Sequence, residues 1–497
     1  MKPLYLALLG LTLHGQAQAQ DVYPGCEVPT SVANRKVHFV DPVKGSNTGD
    51  GTAQKPWKSL AFILNPANKI IATNGRKAGV ETPLLPMNTA GALKGGDTVM
   101  LMSGNYGDVT LQNVFNDKFI TVMAAPGQTP VISHLRVTGG SRWLFQGITF
   151  EYANPSAPKG KVVPSFVNLT QVYDGWQGSS SNIIFDSSTF RSTTDVSGWS
   201  DEDWFTRPEF YSLSIKSPCV AVTNSIFRNV QNAIALWAKQ ALVKNNVIDH
   251  FSNDGIDLVT GDVTIYGNTI ENGTMTKLSQ FHPDGIQGWS QTVNGKEQEN
   301  ANVVIDSNKV YNYSLNSDNW LQAIDMFRGV WNNLLVQNNS VVTNHYHGIT
   351  VWGAKNSKII NNTVMPSNPS VYPTWISVKP SPNGPSQNVL VRNNVAYQIH
   401  ALDKAITFDH NATVIGFYTL SGEKLVYHSG SDTASKNLVL PNAMATFQGL
   451  DPSKLQYDAR LKSTSSLIGA GMATAAPTLD ILGRRRASPT DIGAYMR

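Results

Sequence analysis

Charge, sulfur and long apolar runs are all scarce in this 497-residue chain, and each scarcity removes a class of protein. Charged residues make up only 15% and the net charge is +4, with a single compact basic run at 484–486. Nucleic-acid binding needs a concentrated basic surface, so no nucleic-acid partner is indicated; weak attraction to an acidic polymer stays compatible. No stretch beyond the first residues is apolar for long enough to cross a bilayer, which excludes a membrane span. Cysteine is limited to Cys26 and Cys219, too few for a disulfide framework. Export permits the two to pair, and their wide separation leaves open whether they meet.

At the N-terminus Lys2 precedes an apolar run over 4–13 and the small-x-small triplet Ala17-Gln18-Ala19. This is the layout of a cleavable export signal, with cleavage expected after Ala19 and a secreted or periplasmic mature chain.

What the chain does have is repetition. Six five-residue segments align in one column: 233–237 (AIALW), 255–259 (GIDLV), 285–289 (GIQGW), 323–327 (AIDMF), 348–352 (GITVW) and 375–379 (WISVK). Position two is always Ile and position four is apolar or Gly, so these two face a core while one, three and five face outward. The outward set includes Asp257, Gln287, Asp325, Trp237, Trp289, Phe327, Trp352 and Lys379. Between members lies a second unit, Asn-x-[Ile/Val], starting at Asn224, Asn245, Asn268, Asn308, Asn339, Asn362 and Asn393. Its steps are 21, 23, 40, 31, 23 and 31 residues, a rung near 22 residues with insertions on some turns. Asn tolerates left-handed backbone at a sharp turn, and its amide can bond the neighbouring rung. The pattern predicts a stacked ladder of asparagines in a β-solenoid. Insertions over 271–301 and 311–321 place long loops beside the outward column, where specificity is commonly built.

The start, VDPVKGSNTGDGTAQKPWKSL, reads as a strand, a glycine turn and a brief helix from about Ser59, and GGDTVML at 95–101 as a further strand. Such an element closes the open end of a solenoid. Together with the asparagine rungs and the DIGAY ending, these segments resemble bacterial right-handed parallel β-helix proteins of the pectin-lyase-like superfamily. The resemblance implies an all-β solenoid with an N-terminal cap at 20–107, a helix at 108–450 carrying the groove, and a C-terminal tail at 451–497 packed on it. It also implies action on polysaccharides, since the superfamily comprises mainly polysaccharide lyases, glycoside hydrolases, uronan epimerases and phage depolymerases.

Stacked strands lie about 4.8 Å apart, so coiling brings distant residues level. Asp254 and Asp284 precede the Gly-Ile of adjacent rungs, and Asp257 and Asp325 share the third position two rungs apart. Crowded carboxylates raise one another's pKa, which supplies the acid that glycoside hydrolysis requires beside an ionised partner. The expectation is a glycoside hydrolase with Asp284 as general acid, Asp257 or Asp254 as base or nucleophile, and Asp325 assisting. His282, Gln287, Trp289, Arg328, His345, His347, Trp237, Trp352 and Lys379 are expected to hold substrate. The order Asn253-x-x-x-Asp257, Asp284, His347-Gly348, Ile376-x-x-Lys379 is loosely similar to polygalacturonase-type hydrolases, although only one Asp stands at the second station, Tyr346 replaces a Gly, and an Arg is missing beside Ile376. The rival reading is a uronate lyase or epimerase with Lys379, Arg328 or a His as base or neutraliser. There Asp254, Asp257 and Asp284 would be Ca²⁺ ligands; hydrolysis itself needs no cofactor. A non-catalytic carbohydrate-binding or adhesion solenoid is the third. An Asp before Gly is also an ordinary turn residue, and irregularly spaced histidines make no zinc motif.

Overall fold

The computed structural model describes residues 26–30, 35–153, 168–277, 282–314, 319–368, 372–382, 384–442 and 446–497. The expected export signal and Phe281 lie outside the described residues. The chain coils into three parallel ladders, a parallel β-helix. One ladder stacks Tyr211–Ile215, Asn232–Leu236, Asp254–Leu258, Asp284–Gly288, Gln322–Met326, His347–Trp352 and Trp375–Lys379 in register. A second begins with Val37–Val40 against Thr98–Leu101 and ends with Ile406–Asp409. The third ends with Leu438–Val439.

The column read from the sequence is the first ladder, and its inward residues make the core. Ile234, Ile256, Ile286, Ile324, Ile349 and Ile376 stack one above another with no solvent exposure. At position four Gly288 stands where other rungs carry Leu, Met or Val, because a Cβ there would lie 2.6 Å from the Met326 side chain and 2.9 Å from the buried Trp331.

The asparagines divide into two adjacent columns where the sequence pattern reads one. Asn224, Asn245, Asn338, Asn361 and Asn393 have φ between 51° and 56° and make the left-handed turn. The residue after Asn245, Asn338, Asn361 and Asn393 enters the ladder, which runs through Asn246, Asn268, Asn308, Asn339, Asn362, Asn394, Asn411 and Asn437, and the Ser225 backbone N–H after Asn224 bonds its first oxygen. Each ladder amide donates to the next side-chain oxygen at 2.9 to 3.2 Å, and that oxygen also accepts the preceding backbone N–H. The expected ladder thus exists, but Asn224, Asn245 and Asn393 belong to the turn beside it.

The short helix Leu60–Leu64 is capped by the Ser59 hydroxyl and buries Leu60, Ile63 and Leu64 against the first rungs. At the other end Ile492, Ala494 and Tyr495 of the DIGAY segment pack on Val342, Met365 and Val395. Cys26 and Cys219 form a disulfide, their Cα atoms 5.3 Å apart. Among the described residues, no helix is long and apolar enough to cross a membrane.

Candidate active site

Coiling brings the four aspartates together as the spacing predicts: Asp254 pairs with Asp284 across adjacent rungs, and Asp257, Gln287 and Asp325 succeed one another in one register. They are not equally placed. Asp254 and Asp257 border a pocket of about 500 Å³, together with Phe210, Tyr211, Asn253, His282, Gln287, Trp289, Phe327 and Arg328. Asp284 and Asp325 have no exposed surface and do not border it. The outward face at these rungs is therefore roofed, and the Gln287 side chain, bonded to the Asp284 carboxylate, helps to form that roof. A general acid must reach the atom it protonates, so the expected role of Asp284 does not suit this position.

Asp254 and Asp257 form one unit. Their carboxyls lie close enough to couple, with Asp254 the one that burial holds protonated, while the Asp254 Oδ1 accepts the Asp284 backbone N–H at 3.2 Å. Burial, followed by the charges of Asp257 and Asp284, holds the Asp254 carboxyl well above the usual range. Burial pushes Asp257 up to about 7, against the hydrogen bond from Tyr211 that favours its ionised form. Asp257 Oδ1 has no hydrogen-bond partner among the described residues. Like charges held close and dry cannot both ionise, so the pair shares a proton near neutrality.

Beneath lies a second pair. Burial and then the Asp284 charge raise Asp325 strongly, so Asp325 stays neutral beside Asp284. Both Asp325 oxygens lack a partner of good hydrogen-bond geometry, although Asp284 and Thr350 lie alongside. His282 Nδ1 stands 3.2 Å from Asp284 Oδ2, a close charge contact without hydrogen-bond alignment, and Asp284 raises the imidazole's pKa.

The remaining predicted residues extend along the face. Trp289, Arg328, Gln287 and His282 line the pocket. Trp237 meets Trp289 edge-on at 6.1 Å, and Trp352 meets Phe327 at 5.1 Å. Lys379 Nζ sits 3.9 Å above the Trp352 ring. His345 stacks on Trp320 at 4.5 Å, and His347 Nδ1 lies 2.9 Å from the Thr350 hydroxyl. Both stand beyond the pocket and burial pushes both down to about 3, so they are neutral hydrogen-bonding groups at ordinary pH. Asn253, the first station of the order compared with polygalacturonase-type hydrolases, lines the pocket too, and so do Phe210 and Tyr211, which the sequence pattern does not mark. Tyr211 was within reach: Tyr211–Ile215 repeats the column one rung earlier, with Leu213 opposite Ile234.

The calcium alternative asks for six to eight oxygen ligands, several of them carboxylates. Of the three carboxylates only Asp254 and Asp257 border the pocket, and among the described residues no three His, Cys, Asp or Glu are grouped to hold a metal ion. Two carboxylates at the pocket are fewer than the three that the calcium reading names.

Residues 211–364 match the family model described as right handed beta helix region. No curated protein matches this sequence. Among solved structures the chain is similar to pectate lyase Pel9A, at 16% identity and a TM-score of 0.41 over 94% of this chain and 97% of that one. It is similar to XylC in complex with xylose, at 11% identity and 0.48 over 93% and 98%. The A-module of the Azotobacter vinelandii mannuronan C-5 epimerase AlgE6 is similar at 15% identity and 0.43 over 65% and 85%. With three parallel ladders across the described chain and a match to the right handed beta helix region at its centre, the fold is a right-handed parallel β-helix.

Proposed function

We propose that the pocket is the reaction centre of a polysaccharide-active enzyme, with Asp254 and Asp257 as its acid–base unit. The observation that carries this reading is the proton-sharing pair at the pocket wall, with Asp257 pushed up to about 7. A base poised near the working pH combines the right protonation state with useful proton affinity. Half-exposed Trp289 and Phe327 beside the pair offer flat faces for sugar rings.

The geometry supports elimination beside a uronate carboxylate best. Hydrolysis by two carboxylates places them on opposite faces of the sugar, about 5 Å or more apart, to protonate the leaving oxygen and to attack or activate water. Asp254 and Asp257, close enough to couple and on the wall of one pocket, stand on one face. Elimination can use one face: ionised Asp257 takes the proton beside the carboxylate, a carbon–carbon double bond forms, and the glycosidic oxygen leaves with the proton from Asp254. Arg328 on the pocket wall would neutralise the substrate carboxylate as charge builds. Hydrolysis remains a second reading on one observation, the His282 imidazole on the pocket wall, a further proton carrier apart from the pair.

Incubation of the purified protein with acidic and neutral polysaccharides, with and without chelator, separates the readings. New reducing ends with ultraviolet absorbance from a conjugated double bond support elimination. Reducing ends without absorbance support hydrolysis, and binding without product on every substrate overturns both.

A further inference from the structure

The first ladder continues past Trp375–Lys379 through Val395–Ala401 and Ala412–Ser421, and the chain then turns back into Lys424–His428, which pairs antiparallel with 417–421. The other side of this last strand is open. Among the described residues no further backbone hydrogen bond reaches 424–428, and the C-terminal tail lies on the third ladder instead. An open edge offers unpaired N–H and C=O groups and is a template for another strand.

The side chains of the strand divide by face. On the inner face His428 stacks on Phe417 at 4.6 Å and Val426 stands opposite Thr419, so this face closes the end of the core. On the outer face Leu425 and Tyr427 are 59% and 47% exposed, although Leu420 and Tyr418 stand opposite them on the neighbouring strand. Tyr427 is fixed in place, its ring 4.9 Å from that of Tyr418 and its hydroxyl donating to the Ile415 carbonyl.

We propose that Lys424–His428 pairs antiparallel with the same strand of a second copy of this chain, about a two-fold axis at Val426, and so joins two solenoids end to end. In that register Leu425 faces the partner's Tyr427 and Tyr427 faces the partner's Leu425, so the exposed apolar side chains cover one another. Lys424 is the only lysine, arginine or carboxylate residue on the strand, and it falls opposite the partner's His428. The two lysines then stand about 14 Å apart, at opposite ends of the pair, and do not repel strongly. A strand paired with itself in this way uses up both open edges, so the contact closes at two copies and builds no filament. Six rungs, about 29 Å at the spacing of stacked strands, separate Gln287 at the pocket from this strand, so each pocket stays clear of the junction.

Sedimentation velocity on the full-length protein, loaded from about 1 to 200 µM, should show a monomer passing to a dimer in the micromolar range and no larger species. Leu425→Asp places a carboxylate against the partner's Tyr427 twice in each dimer and should raise the dissociation constant about thirtyfold or more. Leu482→Asp, at a 47% exposed site on the tail, is the control and should leave it unchanged. Register is read by cross-linking, because Cys26 and Cys219 are bonded to each other and an added cysteine is the one free thiol. With oxidised glutathione as electron acceptor, Val426→Cys should form a covalent dimer about tenfold faster or more than Lys424→Cys, whose thiols stand four residues apart along the pair. A protein that stays monomeric throughout, a mass that climbs past the dimer, full dimerisation by Leu425→Asp, or equal cross-linking at 424 and 426 overturns the proposal.

Discussion

Asp257 carries the clearest predictions at the scale of one side chain. If it is the base, Asp257→Asn removes a proton acceptor worth about 10² to 10⁴ in rate. We expect kcat on the best substrate to fall within that range, and Asp254→Asn to fall with it because the two act as a unit. In the parental protein kcat/KM should rise with pH and level off above about 7, where Asp257 is ionised. The same group acts on stability with the opposite trend. Folded, Asp257 keeps its proton up to about pH 7, whereas an unfolded chain releases it near pH 4. Its stabilising contribution is complete below pH 4 and is lost as pH rises through 7. Asp257→Asn should therefore match the parental Tm near pH 4 and exceed it by a few degrees or so at pH 8, read by calorimetry. An inactive variant with no gain at pH 8 would mean that the carboxylate is less confined than its burial implies. The aspartates were legible in the sequence as a cluster, because a rung near 22 residues makes alignment a matter of counting. Which two meet the pocket was not, since that depends on how the Gln287 side chain lies against Asp284.

At the scale of elements, the asparagine ladder shows what a repeat does and does not disclose. The sequence pattern anchors on Asn two places before Ile or Val, and in three rungs that residue is the left-handed turn rather than the ladder member. Turn and ladder lie one residue apart, and both favour Asn for different reasons: one tolerates positive φ, the other offers a donor and an acceptor. Only the register of stacked rungs separates them. Asn308 illustrates the ladder's energetics. Its amide donates to Asn339 Oδ1 at 3.0 Å and to Ile265 O at 2.9 Å, while its oxygen accepts from Asn268 N at 3.0 Å and from Asn268 Nδ2 at 2.9 Å. No solvent reaches it. Asn308→Ala strands these partners without water, at about 1 to 3 kcal/mol for each group left bare. We expect a loss of at least about 3 kcal/mol by denaturant titration. Asn388→Ala, in the exposed row where Asn388 donates to Asn356 Oδ1, should cost under about 1 kcal/mol. Equal losses at the two sites would show that burial does not set the ladder's worth.

At the scale of the molecule, stacking makes the centre readable and the ends less so. Each inner rung is satisfied by the next, so its pattern repeats; an end must be closed by something that does not repeat. The Ser59 helix was legible from its cap. The path of the C-terminal tail was not, because its partners lie about 100 to 180 positions back. There half-buried Arg486 donates to Asn338 Oδ1 at 2.7 Å and to the carbonyls of Gly493 and Ala494 at 2.9 and 3.0 Å. Asp480 and Asp491 are its nearby charges. The Ala494 amide in turn bonds Thr363 Oγ1, and the Tyr495 hydroxyl lies 3.2 Å from that of Tyr311. One guanidinium thus ties the end of the chain to the middle of the solenoid. Arg486→Met keeps much of the packing volume but strands the Asn338 amide oxygen and two carbonyls in a dry site, and breaking such a buried charged contact costs about 3 to 5 kcal/mol. The tail covers Val342, Met365 and Val395, none of which lines the pocket. Arg486→Met should therefore speed amide exchange at 492–495 and expose those residues, while leaving kcat on the best substrate unchanged at a temperature where the solenoid is folded. A drop in kcat matching the faster exchange would mean that the tail supports the reaction face through the rungs between them.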